Sequence, residues 1–211
     1  MKMLIIEVII VLLVGYLLGS VNTSIIVGKA KGIDIREHGS GNAGLTNTFR
    51  VLGKSAAVVV VLGDILKGIA AAYIGEYILG TSTIVPRLGI LICGLGAIIG
   101  HNFPLYFKFK GGKGILTTAA VVATLNIKIA VFLFVVFVLT IVVTRYVSLG
   151  SILSSIFLPL AVYLLEKGRE RIYFLIWSIV VSLSALIMHR KNISRILKGE
   201  ETVLSFEKRC G

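Results

Sequence analysis

Charge is scarce in this sequence. Only 15% of its 211 residues are Asp, Glu, Lys or Arg, against roughly a quarter in a soluble domain. That leaves too little polar surface to coat a water-soluble globule. Alternation is missing too. The hydrophobic residues, 56% of the chain, come in unbroken blocks such as 56–61 and 129–143. A membrane β-barrel needs strands of about ten alternating residues, so barrels are excluded and helices in a bilayer remain. Cysteine is nearly absent: Cys93 lies inside an apolar block and Cys210 in the tail, which is no disulfide framework or metal cluster. Acidic residues number ten against twenty-two Lys and Arg. With Asp34 and Asp64 isolated, the chain lacks the Asp-rich metal motif that an alcohol phosphotransferase using a nucleotide-activated donor needs. No basic stripe with interleaved aromatics stands outside the apolar blocks, so nucleic acid is not an expected partner. No small-residue cleavage site follows the first apolar run, which is therefore expected to stay as a helix. Soluble domains, linkers, low-complexity stretches and internal repeats are also missing, so residues 1–211 are expected to form a single membrane domain.

The apolar blocks define helix candidates at 4–27, 56–79, 85–99, 115–125, 129–144, 149–165 and 172–188. A full span takes about 20 residues, so the third and fourth are short. The expected fold is an all-α polytopic transmembrane bundle of about seven helices. Fifteen Lys and Arg fall on one end of this bundle and six on the other, with Lys67 inside a helix. The richer end is expected to be cytoplasmic. An odd count of helices then puts the N-terminus outside and the C-terminus in the cytoplasm. All the glycine-rich polar segments fall at that same inner end.

The first such segment, 32–50, contains Gly39-Ser40-Gly41-Asn42 and Thr46-Asn47 with Arg36 and Arg50. Glycines let backbone N–H groups converge on an anion, Ser40, Asn42, Thr46 and Asn47 add donors, and arginine holds phosphate oxygens in pairs. The second, 100–118, carries Gly111-Gly112-Lys113-Gly114 directly before an apolar helix, whose N-terminus suits phosphate. It is no nucleotide P-loop: Phe107 stands where the first glycine belongs and Gly114 where a Ser or Thr belongs. The third offers Arg145, Ser148 and Ser151 at a helix mouth. In the fourth, His189 and Asn192 share a helical face, with Arg195 beside them. Asp64 and Lys67, within the second block, are spaced to pair with each other or to reach a ligand.

Together these pieces resemble the bacterial membrane family of acyl-phosphate:glycerol-3-phosphate acyltransferases, the PlsY type. The matching elements are Gly19-Ser20, Gly39-Ser40-Gly41-Asn42 with Thr46-Asn47 and Arg50, and Gly63-Asp64 with Lys67-Gly68. Gly100-His101 with Phe103-Pro104, Gly111-Gly112-Lys113-Gly114, Arg145 with Ser148, and His189 with Asn192 and Gly199 complete the set, in the family's order across nearly the whole chain. Leu45, Ile115-Leu116 and Glu200 depart from the pattern without removing a polar group.

The resemblance implies transfer of a fatty acyl group from acyl phosphate to the 1-hydroxyl of sn-glycerol 3-phosphate. The products are lysophosphatidic acid and phosphate, in the first acylation of phospholipid synthesis. It implies a multi-pass protein of the bacterial plasma membrane with its site facing the cytoplasm, and neither cofactor nor metal. The expected catalytic residues are His189, Lys113 and Asn42. Ser40, Gly41, Arg50, Thr46, Asn47, Gly111, Gly112, Gly114, Arg145, Ser148, Ser151 and Asn192 are expected to bind substrate. Both substrates are anionic, and bringing them together beside lipid demands fixed cations. A mixed anhydride is already activated, so no protein nucleophile is required. The resemblance implies that a substrate phosphate oxygen takes the hydroxyl proton; His189 is the alternative general base. The rival reading is a small-anion transporter, which needs a polar path through the outer halves. Those halves read as almost wholly apolar.

Overall fold

A computed structural model describes residues 2–80, 85 and 87–203. Among these, the regular elements are helices: α1 Lys2–Ser20, α2 Thr23–Ala30, α3 Leu45–Leu79, α4 Leu88–Asn102, α5 Ile115–Leu125, α6 Ile127–Thr144, α7 Val147–Leu165, α8 Arg171–Met188 and α9 Arg190–Leu197. Among the described residues, each apolar block of the sequence is chiefly helical. Six stretches are long and apolar enough to cross a membrane: Met3–Ala30, Leu45–Leu79, Leu88–Phe107, Ile127–Thr144, Val147–Leu165 and Arg171–Met188. The third block reaches that length by continuing past α4 through a 3-10 turn at Leu105–Phe107. The fourth, α5, does not reach it. Cys210, Lys208 and Arg209 lie outside the described residues.

The first block is two helices rather than one. Asn22 breaks it: its carboxamide oxygen accepts from Ile25 N at 3.1 Å to cap α2, and its Nδ2 donates to Ala43 O at 3.3 Å. α1 packs on α4 through glycines four apart on both helices, hence on one face of each. A Cβ on Gly15 would lie 2.1 Å from Cys93 O, on Gly19 2.0 Å from Ala97 O, on Gly96 2.3 Å from Leu12 O and on Gly100 2.2 Å from Tyr16 O. Lipid gives apolar helices no reason to associate, so close backbone approach across small residues supplies the contact.

α5 has eleven residues, roughly 16 Å at 1.5 Å per residue, about half the ~30 Å hydrocarbon core. It is held at both ends. Before it, residues 111–114 run non-helically back along the end of α4, with Gly111 N donating to Asn102 O at 3.2 Å and Gly112 N to His101 O at 3.0 Å. After it, Arg87, just ahead of α4, donates from Nη1 to Leu125 O at 2.6 Å. Irregular backbone within a membrane protein is tolerated where protein buries it, and in 111–114 Gly112 and Gly114 are buried.

Arg87 organises the polar groups at the far helix ends. Its Nη2 lies 2.8 Å from Glu166 Oε1 and 3.0 Å from Glu170 Oε1, and Asn126 Nδ2 donates to Glu166 Oε2 at 2.9 Å. One polar cluster thus joins the ends of α4, α5, α6, α7 and α8. The core between them is apolar, with Phe174, Trp177, Val121, Val122 and Leu158 buried. The indole of Trp177 donates to Leu91 O at 2.8 Å.

Candidate active site

The polar segments converge at the end of the bundle opposite Arg87. The first is only partly a loop. α3 already begins at Leu45 and breaks at Gly53 (φ 81°, ψ −174°), so 45–52 is a helical stub set off from the membrane span. Thr46 and Arg50, four apart, share one face of it. Asn47 is buried and its amide is fully used: Oδ1 accepts from Ser40 N at 2.8 Å, while Nδ2 donates to Ile35 O and His38 O, both at 3.0 Å. Asn47 therefore shapes the 34–41 turn. Arg36 is likewise occupied. It pairs with Asp34 at 2.7 Å, donates to Phe107 O at 2.8 Å, and holds the Asp34 carboxyl down at about 2.

The remaining groups surround a cavity of about 150 Å³, several times the ~30 Å³ of a water molecule. Ser40, Asn42, Thr46, Asn47 and Arg50 line it from one side, Lys113 and Gly114 from another, Ser148 and Ser151 from α7, and His189 and Asn192 from the α8–α9 junction. Asp64, His101, Arg195, Glu201 and Thr202 line it as well. Helices α3, α5 and α7 each start at this cavity, and none has a side-chain cap on its first turn. Their unpaired N–H groups and positive dipole ends face one space, the arrangement that receives anions.

Four expected binding residues are not in the lining: Gly41, Gly111, Gly112 and Arg145. Gly41 turns the chain at φ 71°. Gly111 and Gly112 are there for close packing. A Cβ on Gly111 would fall 2.1 Å from His101 O, and one on Gly112 2.2 Å from His101 Nε2. Arg145 is the exposed residue that ends α6, at φ 60°.

Within the lining, Lys113 Nζ donates to Asn192 Oδ1 at 2.6 Å. Glu201 Oε1 accepts from Asn192 Nδ2 at 2.7 Å and Ser148 Oγ at 2.8 Å, and Oε2 from Arg195 Nε at 2.8 Å. The tail carboxylate so fixes α7, α9 and, through Asn192, Lys113. Glu201 was not among the expected site residues, although it stands where the resembling family's tail has its Glu, two residues after Gly199. Burial alone would raise its carboxyl, but the bonds from Arg195, Asn192 and Ser148 outweigh that and hold it below the usual range. Burial pushes the Lys113 ammonium down to about 8; Glu201 partly offsets this and Arg195 adds to it. Burial and the Lys113 charge keep the His189 imidazole down at about 4. Its Nδ1 lies 2.8 Å from Ala185 O. A carbonyl only accepts, so Nδ1 carries the proton and Nε2 keeps the lone pair.

A second, apolar cavity of about 160 Å³ lies among α5, α6, α7 and α8. It shares Ile115, Leu116, Phe137 and Ser151 with the polar one. A cationic chamber thus lies directly beside a greasy groove, an adjacency that suits a molecule with a phosphate at one end and a hydrocarbon chain at the other.

Fold and site together define a polytopic helical membrane protein built to hold phosphate-bearing molecules beside a lipid chain. The family model for glycerol-3-phosphate acyltransferase matches residues 9–199. The chain is 43% identical over 204 residues to the glycerol-3-phosphate acyltransferase of Shouchella clausii, covering 95% of this chain and 98% of that protein. It is 44% identical over 198 residues to that of Halalkalibacterium halodurans, covering 92% and 93%. Its fold is similar to crystal structures of PlsY (YgiH), an integral membrane glycerol 3-phosphate acyltransferase. The glycerol 3-phosphate form superposes with a TM-score of 0.83, at 34% identity over 94% of this chain and 96% of that one. The lysophosphatidic acid form does so with a TM-score of 0.81. This chain belongs to the glycerol-3-phosphate acyltransferase family.

Proposed function

We propose that this protein transfers a fatty acyl group from acyl phosphate to the 1-hydroxyl of sn-glycerol 3-phosphate, releasing lysophosphatidic acid and phosphate. The observation that carries this reading is the cavity bordered by Arg50, Lys113 and the starts of α3, α5 and α7, which shares lining residues with the apolar groove beside it. Two phosphate groups repel each other, and that repulsion grows where water is scarce. Fixed cations and helix-start N–H groups offset it and hold the acyl carbonyl against the hydroxyl.

The hydroxyl oxygen forms a bond to the carbonyl carbon, the carbon–oxygen bond to phosphate breaks, and phosphate leaves with the electron pair. The proton passes to a phosphate oxygen or to His189 Nε2, whose lone pair is free. Asn42 and helix-start N–H groups stabilise the developing oxyanion. Lys113, held by Asn192, and Arg50 neutralise phosphate. Ser40, Thr46, Gly114, Ser148, Ser151 and Asn192 complete the binding surface, and Asn47 supports it.

The whole chain acts as one catalytic domain in the bacterial plasma membrane. The excess of Lys and Arg at the site end favours a cytoplasmic active site, an outward N-terminus and an inward C-terminus. The test is purified protein in lipid vesicles supplied with a fatty acyl phosphate and labelled glycerol 3-phosphate, without thioester donors, carrier protein or metal. Labelled lysophosphatidic acid should form with one phosphate released per product. Product only when a thioester donor is added would overturn the assignment of the donor.

A further inference from the structure

Two carboxylates line the cavity, and only one is saturated. Glu201 spends both oxygens on Ser148, Asn192 and Arg195. Asp64 is different. Its Oδ1 receives Lys67 Nζ at 2.8 Å and Thr23 Oγ1 at 3.5 Å. Among the described residues its Oδ2 receives no hydrogen bond, yet it is not one of the buried atoms sealed away without a partner. Asp64 lines the cavity, so Oδ2 is the oxygen left open there.

The surroundings hold this carboxylate in place. Lys67 Nζ donates to Asp64 Oδ1, to His101 Nδ1 at 2.8 Å and to Val21 O at 3.0 Å. An ammonium only donates, so His101 Nδ1 is an acceptor in this contact and the 3.6 Å approach of His101 to Asp64 is not an ion pair. Lys67 thereby offsets the carboxylate charge beside a phosphate site without occupying Oδ2.

The other charged groups of the lining not already paired within it, Arg50 and Lys113, only donate, as do the helix-start N–H groups, and these suit phosphate oxygens. A polyol's O–H groups need acceptors, and Asp64 Oδ2 is the carboxylate oxygen of the lining that carries no hydrogen bond among the described residues, a stronger acceptor than the neutral hydroxyls and Asn42 carboxamide beside it. Glycerol 3-phosphate brings two hydroxyls, one that reacts and one that does not. The proton of the first is taken by a phosphate oxygen or by His189 Nε2. We infer that Asp64 Oδ2 accepts the hydrogen bond of the second, on the middle carbon, and so fixes which hydroxyl faces the acyl donor. Asp64 is then the residue that selects glycerol 3-phosphate over phosphate esters lacking that hydroxyl. This inference rests on the acyltransferase reading above.

The test compares two acceptors, glycerol 3-phosphate and 3-hydroxypropyl phosphate, which keeps the reacting hydroxyl and the phosphate but lacks the middle one. Both are given to wild-type, D64N and D64E protein in vesicles with the same acyl phosphate. The quantity read is the ratio of kcat/KM for the two acceptors. Wild type should favour glycerol 3-phosphate by roughly 10- to 100-fold, the loss expected when a hydroxyl facing a charged acceptor is removed. Both variants should bring that ratio toward one. A wild-type ratio near one overturns the inference whether or not either variant folds, as does a variant that keeps the wild-type ratio. Failure of wild type to acylate either acceptor would contradict the acyltransferase reading instead.

Discussion

At the scale of single residues, the proposed role of Lys113 as a phosphate partner requires that it hold its proton. Burial lowers its ammonium to about 8, against ~10.4 for an exposed lysine. The folded, empty site therefore loses this charge as pH rises through about 8, while below that it stays cationic. The value of kcat/KM should fall with one proton's slope above that pH. A K113R variant, if active, should lack the alkaline limb, because guanidinium stays charged. A pH–rate profile of the two proteins checks this. His189 adds no acid limb until pH nears 4, where its imidazole becomes charged. Gly112 sets a second residue-level expectation. A Cβ there would lie 2.2 Å from His101 Nε2 and 2.6 Å from Ala43 O, and one of those is backbone. G112A should displace Lys113 and cut kcat/KM by about 10-fold or more, since sub-ångström misplacement of a positioned group is costly. Equal turnover by G112A in a steady-state assay would show that the loop tolerates the shift.

At the scale of elements, the short α5 is what the site depends on, because it carries Lys113 at its start. Both of its ends are tied to the ends of α4, one by Gly111 and Gly112 and the other by Arg87. R87A would free Leu125 O and leave Glu166, which is 5% exposed, with Asn126 alone. An uncompensated buried charge costs about 3–5 kcal/mol, and partial exposure of Arg87 reduces that toward about 2 kcal/mol. Thermal unfolding in detergent should show a drop of roughly 4–8 °C. An R87A/E166Q double variant should recover part of it. The sequence located α5 to the residue because its block is bounded by Gly114 and Asn126. It could not show how so short a helix is held in the bundle, since that needs the backbone of 111–114 to fold against α4. It also placed 45–52 in a loop. No apolar run marks that stub, and the break at Gly53 is a backbone conformation rather than a composition.

For the whole molecule, the members of the cavity lining legible in advance were those whose side chains must carry charge or donors whatever the packing: Arg50, Lys113, His189, Asn42, Asn192. Blocks of apolar residues likewise made the helical bundle legible. What stayed hidden depends on distance across the fold. Gly111 and Gly112 look the same whether they cradle an anion or admit a neighbour's backbone, and only the nearby His101 distinguishes the two. Glu201 looks like a tail residue until α7 and α9 meet around it. The cluster around Arg87 draws its members from three separate stretches of chain.

The central claim is that one cationic chamber beside lipid holds both phosphate-bearing molecules. The measurement that tests it most directly is the rate of labelled lysophosphatidic acid formation by wild type, R50A and K113A. All three must be folded and reconstituted in the same vesicles with acyl phosphate as donor. Each variant should lose about 100-fold or more in kcat/KM, the scale set by removing a preorganised charge partner. Near-wild-type rates in both variants would contradict the account.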